Sequence, residues 1–228
     1  MTLKRIFGMF MVLLAALTLV ACKGGDDTPE QPGGGDTPAA EVDKALAAEL
    51  KGIASGKKIY LTTVGQSDVE KIENLLFSVD EDANIYDAAT GSADTSKAVN
   101  VAKANLLTAA EVESGSVVLL VTGSSSKGLG SAGTDVAKEI ARAQAFADKA
   151  AAGDITLIVF HVGGSARRGT STDPVLDVAC PGANLLLVVE TGNEDGYFTN
   201  VAGEYNVPLY LYSKTSKIAG ALKDILGA

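Results

Sequence analysis

Short apolar runs alternate with amphipathic stretches from residue 58 to the end of the chain. Six runs read as strands: Lys58–Val64 (KIYLTTV), Asn84–Asp87, Val117–Thr122 (VVLLVT), Ile155–Val162 (ITLIVFHV), Leu185–Glu190 (LLLVVE) and Pro208–Tyr212. Most are apolar throughout rather than alternating, the pattern of strands covered on both faces. The intervening stretches carry helical spacing. Gly65-Gln66-Ser67-Asp68 turns into a helix through Phe77, with Ser67 or Asp68 as its N-cap. Lys97–Leu107, the Ala-rich Thr134–Ala151, a stretch from about Glu194 to Tyr205, and Thr215–Leu226 are expected to be helical. Asp173-Pro174 has the form of a helix start. Ahead of the first strand, Glu41–Ser55 places Val42, Leu46, Leu50 and Ile53 on one face and stops at Ser55-Gly56. Strands alternating with helices predict a single three-layer α/β domain, Rossmann-like or flavodoxin-like, with a mostly parallel sheet of about five to six strands.

The first forty residues follow different rules. Lys4 and Arg5 precede an uncharged apolar stretch, Ile6–Ala21, too short to span a bilayer comfortably and suited to a signal-peptide core. It ends Leu19-Val20-Ala21-Cys22, which resembles the lipobox of bacterial lipoproteins. That resemblance implies cleavage before Cys22, lipidation of the cysteine and an extracytoplasmic location, either at the outer membrane and periplasm or on the outer face of the cytoplasmic membrane. Lys23–Ala40 is rich in Gly, Pro, Asp and Thr and reads as a flexible linker. The expected organisation is therefore a signal peptide over 1–21, a lipidated linker over 22–40 and the α/β domain over 41–228.

Charge and composition narrow the partners. The chain carries a formal charge of −9, and loss of Lys4 and Arg5 with the leader makes it more negative. Such a protein is not expected to bind nucleic acid or to cling to an anionic membrane through basic residues. The membrane is expected to be met through lipid on Cys22. The only other cysteine, Cys180, is left without a disulfide partner and reads as a small buried residue. No carboxylate cluster has metal-ligand spacing, and neither a metal nor a cofactor is expected.

The loops after the strands hold the candidate chemistry. A parallel sheet gathers them on one edge, where ligands bind near a reversal of strand order. These loops contain TTVGQS, SSSKGLGSAG, HVGGSARRG and GNEDGYF. Their glycines let backbone N–H groups approach a ligand, and Gln66, Ser67, Ser125, Ser126, Lys127, Arg167 and Arg168 supply further donors. In an acidic protein, an Arg-Arg pair among such donors points to a small anionic ligand. The fingerprints for phosphate loops and dinucleotides are absent. Two other readings stand beside this one. The same loops would serve an enzyme using His161 as base or a loop serine as nucleophile, although a lone histidine ending a buried strand is ordinarily held by backbone groups. Alternatively the domain is a non-catalytic scaffold. The balance leans away from an enzyme, and no catalytic residue is assigned.

The four loop sequences together resemble an uncharacterised bacterial domain family of unknown function, often exported. The resemblance covers roughly residues 57 to 228. It implies an α/β fold and marks the loops as distinctive, and it implies no activity.

Overall fold

A computed structural model describes residues 46–228. The leader, the linker and residues 41–45 of the expected first helix lie outside the described residues. Seven strands form one sheet: β1 (Ile59–Val64), β2 (Asn84–Asp87), β3 (Asn100–Lys103), β4 (Val117–Thr122), β5 (Thr156–His161), β6 (Leu185–Val189) and β7 (Leu209–Tyr212). All neighbours are parallel, in the order β2-β3-β1-β4-β5-β6-β7. The helices are α1 (Val69–Val79), α2 (Ser126–Ser131), α3 (Val136–Ala151), α4 (Asp173–Ala179), α5 (Tyr197–Tyr205) and α6 (Ile218–Leu226).

The three layers follow from the side-chain alternation of the strands. Ile59, Leu61, Val117, Leu119, Val121 and Ile158 point to one face, where they meet Ile72 and Leu76 of α1 and Leu222 and Ile225 of α6. Tyr60, Val118, Leu120, Leu157 and Val159 point to the other, against Phe146 of α3, Leu176 of α4 and Phe198 of α5. Every residue of β1, β4 and β6 is buried, so the continuous apolar runs mark strands with helices on both sides.

The sheet has seven strands rather than five to six because Lys97–Leu107 does not form a helix. Its centre, Asn100–Lys103, is a strand inserted between β1 and β2. Asn100 shapes the connection from β2: its Nδ2 donates to the carbonyls of Asp94 and Lys97, and its Oδ1 accepts from Asp94 N and Asn84 Nδ2. The described part of the expected N-terminal helix is only a 3-10 turn over Ala48–Leu50. Gly52 and Gly56 then take positive φ, and Gly52 N and Ala54 N donate to Asp224 O and Ile225 O at the end of α6. Backbone donors that a helix would consume are spent instead on a neighbouring element.

Chain order reverses between β1 and β4. From β1 the chain passes to the edge at β2 and returns to β3 on one side, and from β4 it builds outward through β5, β6 and β7 on the other. The carboxyl ends of β1, β4 and β5 therefore frame the place where an open α/β sheet offers a crevice.

Candidate functional site

The crevice between β1 and β4 is closed by backbone. Gly123 N donates to Val64 O, Ser125 N donates to Gly65 O, and Gln66 and Ser124 form an antiparallel bridge. Gly65 makes this approach possible: it has φ +93°, and a Cβ there would lie 2.4 Å from Gly123 O. Below this zip sits a buried acid that the sequence reading missed. Glu139 of α3 is fully buried. Its Oε2 accepts from Gly65 N at 2.8 Å, Gln66 Nε2 at 3.1 Å and Arg142 Nη2 at 2.9 Å, and its Oε1 accepts from Thr134 Oγ1 at 2.9 Å. Burial pushes the carboxyl pKa up, but the Gly65 N–H and Arg142 outweigh it and hold it below the ordinary value. Arg142 also donates to the carbonyls of Thr63, Asn105 and Leu107. The pair thus fastens the loops after β1 and β3 to α3. Its sequence signal is a charged residue on the stripe Glu139, Ala143, Phe146, Ala150, the buried face of the helix.

Beside the zip, toward β5, lies a second cluster. Asp68 precedes α1 with left-handed backbone (φ 66°) and makes no capping hydrogen bond. Its buried carboxylate is used elsewhere: Oδ1 pairs with Lys71 Nζ at 2.9 Å, and Oδ2 accepts from Arg167 Nε and Ser67 Oγ, each at 3.2 Å. Gly123 and Gly163, just past the ends of β4 and β5, make room for it. A Cβ on Gly163 would lie 2.0 Å from Arg167 Cγ and 2.6 Å from Asp68 Oδ2, and one on Gly123 would lie 2.8 Å from Ser67 Oγ. Gln66 also has positive φ, so two non-glycine residues of one short loop hold sparsely populated backbone. Arg167 is bound only through Nε; its two Nη groups meet no acceptor among the described residues. The N–H groups of Gly163, Gly164 and Ser165 likewise donate to nothing among the described residues.

The seven predicted donors are dispersed by the structure. Arg167 and Ser67 meet through Asp68. Arg168 is separated from its neighbour and engaged through all three nitrogens: Nε donates to Asp173 Oδ1, Nη1 to Gly192 O and Asp195 Oδ1, and Nη2 to Asp195 Oδ2. Its guanidinium stacks 4.5 Å from the Tyr197 ring centre. Asp195 lies before α5 rather than in its first turn and is held below the ordinary carboxylate range by Arg168. Gln66 Nε2 is spent on Asn105 O and Glu139. Ser125 caps α2 by accepting from Gly128 N, while Ser126 and Lys127 are exposed in the first turn of that short helix.

His161 is fully buried. Its Nε2 lies 3.1 Å from Gly164 O and its Nδ1 3.3 Å from Thr122 Oγ1, with the ring against Phe198. Burial lowers its pKa, and the Arg168 charge adds to this, so the ring is neutral at pH 7. Cys180 is likewise fully buried, and burial pushes its thiol pKa far up, keeping it inert as a nucleophile. Among the described residues no group of three or more His, Cys, Asp or Glu side chains is placed to hold a metal ion.

A family model described as a domain of unknown function (DUF6305) matches residues 56–226. The chain belongs to this family. No curated protein and no solved structure matches it. The matched segment contains all seven strands and both clusters, so the Glu139–Arg142 clamp and the Asp68–Arg167 pair are parts of the DUF6305 domain itself. No helix among the described residues is long and apolar enough to cross a membrane.

Proposed function

We propose that the protein is an extracytoplasmic lipoprotein, anchored through Cys22, whose DUF6305 domain binds a small anionic ligand at the carboxyl ends of β4 and β5. The observation that carries the ligand assignment is the state of Arg167. A buried aspartate fixes its Nε, while both Nη groups stay unpartnered and the side chain is 37% exposed. An arginine held from behind with its fork free is pre-organised for a carboxylate or phosphate, since little freedom remains to be lost on binding. The free N–H groups of Gly163, Gly164 and Ser165 adjoin it in sequence, and Lys71 shares its aspartate. Ser67 positions Asp68. In this reading Arg168, Gln66 and Ser125 build the loops and do not contact ligand. The anchor rests on the basic start, the apolar stretch and the lipobox-like Leu19–Cys22.

Thermal unfolding of the purified protein with sulfate, phosphate, acetate and citrate tests the ligand assignment. At least one anion should raise the melting temperature. Arg167→Ala should weaken binding by about 10- to 100-fold, the consequence of losing hydrogen bonds to a charged group worth roughly 1.5–3 kcal/mol. An anion-induced shift of unchanged size in Arg167→Ala, or no shift with any of the four, sinks the assignment.

A further inference from the structure

A cavity opens on the same sheet edge, at the carboxyl ends of β2 and β3. It measures about 460 Å³ and is lined by Glu73 of α1, Ile85, Tyr86 and Asp87 of β2, and Lys103 and Asn105 at the end of β3. That volume falls within the roughly 300–1,000 Å³ of small-ligand sites. Lys103 Nζ lies 2.5 Å from Glu73 Oε2, and each side chain is 24% exposed, so a half-buried pair of opposite charges faces the cavity. Beside Lys103, as its register partner on β2, Asp87 is fixed by its own turn: Oδ1 accepts from Ala89 N, Thr90 N and Thr90 Oγ1. These bonds, the Thr90 N–H foremost, hold the carboxyl below the ordinary range. Oδ2 of Asp87 accepts nothing among the described residues. Ile85, on the same face of the sheet as Lys103, adds an apolar contact, while the Tyr86 side chain turns to the opposite face.

We propose that this cavity is a separate site for a small zwitterion of the amino-acid class. The ligand carboxylate would pair with Lys103 and the Asn105 amide, its ammonium with Asp87 and Glu73, and its side chain would pack on Ile85. A free amine leaves Lys103 without a new partner, and a free carboxylate leaves both acids without one. Only a molecule bearing both charges satisfies the cavity, which separates it from the anion site at Arg167.

The test is isothermal titration of the full chain in detergent with glycine, alanine, leucine, glutamate and lysine, using acetate and methylamine as single-charge controls. At least one amino acid should bind saturably, and neither control should bind at the same concentration. Lys103→Met should weaken binding at least tenfold. Asp87→Asn keeps the Oδ1 acceptor of the turn, removes the charge, and should do the same while the variant stays folded. Arg167→Ala should leave this binding intact, so failure of the anion site and failure of this one are told apart. Absence of binding by all five amino acids overturns the proposal. So does binding that survives both Lys103→Met and Asp87→Asn, or equal binding of acetate.

Discussion

His161 is the only histidine, and its environment gives the protein a pH response just below neutrality. Burial holds its pKa below 6.5, so the folded state resists a proton that the unfolded chain accepts. Stability is then complete above pH 6.5 and falls as the pH drops below it. Glu139 acts lower. Its pKa is held below 4.5, so its contribution is present above pH 4.5 and is lost on further acidification. Urea unfolding midpoints measured across pH should therefore decline in two stages. His161→Gln, which keeps a donor for Gly164 O, should flatten the stage between pH 6.5 and 4.5 and leave the lower one. A variant that declines like the wild type in that interval contradicts the assignment. Residue roles were unevenly legible in sequence. Arg167 and Arg168 are adjacent and chemically identical, yet one is free at its fork and the other is enclosed by Asp173 and Asp195. That difference comes from acids distant along the chain, Asp68 for the first and Asp195 for the second, which no local pattern reveals.

Among the elements, strands buried on both faces were legible because an apolar run bounded by polar turns has few other uses. The strand Asn100–Lys103 was not, since its sequence (NVAK) has no strong β preference and pairing with β1 and β2 decides its conformation. The helix α2 was hidden for another reason: Ser126–Ser131 (SKGLGS) is rich in glycine, which ordinarily weakens a helix. The structure assigns its glycines different duties. A Cβ on Gly128 would lie 2.1 Å from Gln66 O, so this glycine lets the helix settle on the loop after β1. Gly130 faces open space. Gly130→Ala should therefore stabilise the protein by about 0.5–1 kcal/mol, the usual helical gain over glycine. Gly128→Ala should destabilise it by about 1–3 kcal/mol through overpacking against backbone. Denaturant unfolding of the two variants checks the contrast, and a Gly128→Ala protein as stable as the wild type would show that the loop yields freely.

At the scale of the whole molecule, charge bears directly on the proposed anchoring. The excess of acids over bases leaves a formal charge of −9, and removal of the proposed leader would take two further cations away. A protein so acidic is repelled by anionic headgroups, so its surface charge opposes membrane attachment. Acyl chains contribute about 0.8 kcal/mol for each buried CH₂, and under the proposed anchoring two or more chains on Cys22 would outweigh that repulsion. Lipid on one residue should then account for the whole of membrane binding, with the folded domain contributing none. Cys22→Ser expressed with a cleavable secretory leader should move the protein from the membrane to the soluble fraction. Its unfolding curve should match that of the detergent-extracted wild type, because Cys22 precedes the matched domain over residues 56–226. Fractionation followed by mass analysis of the N-terminal peptide reads both consequences: the wild-type peptide should carry the added mass of acyl chains, and the variant peptide should not. A Cys22→Ser protein that stays on the membrane after its leader is removed would place the attachment in the domain itself, and the acidic surface would then need a cationic or apolar patch to explain it.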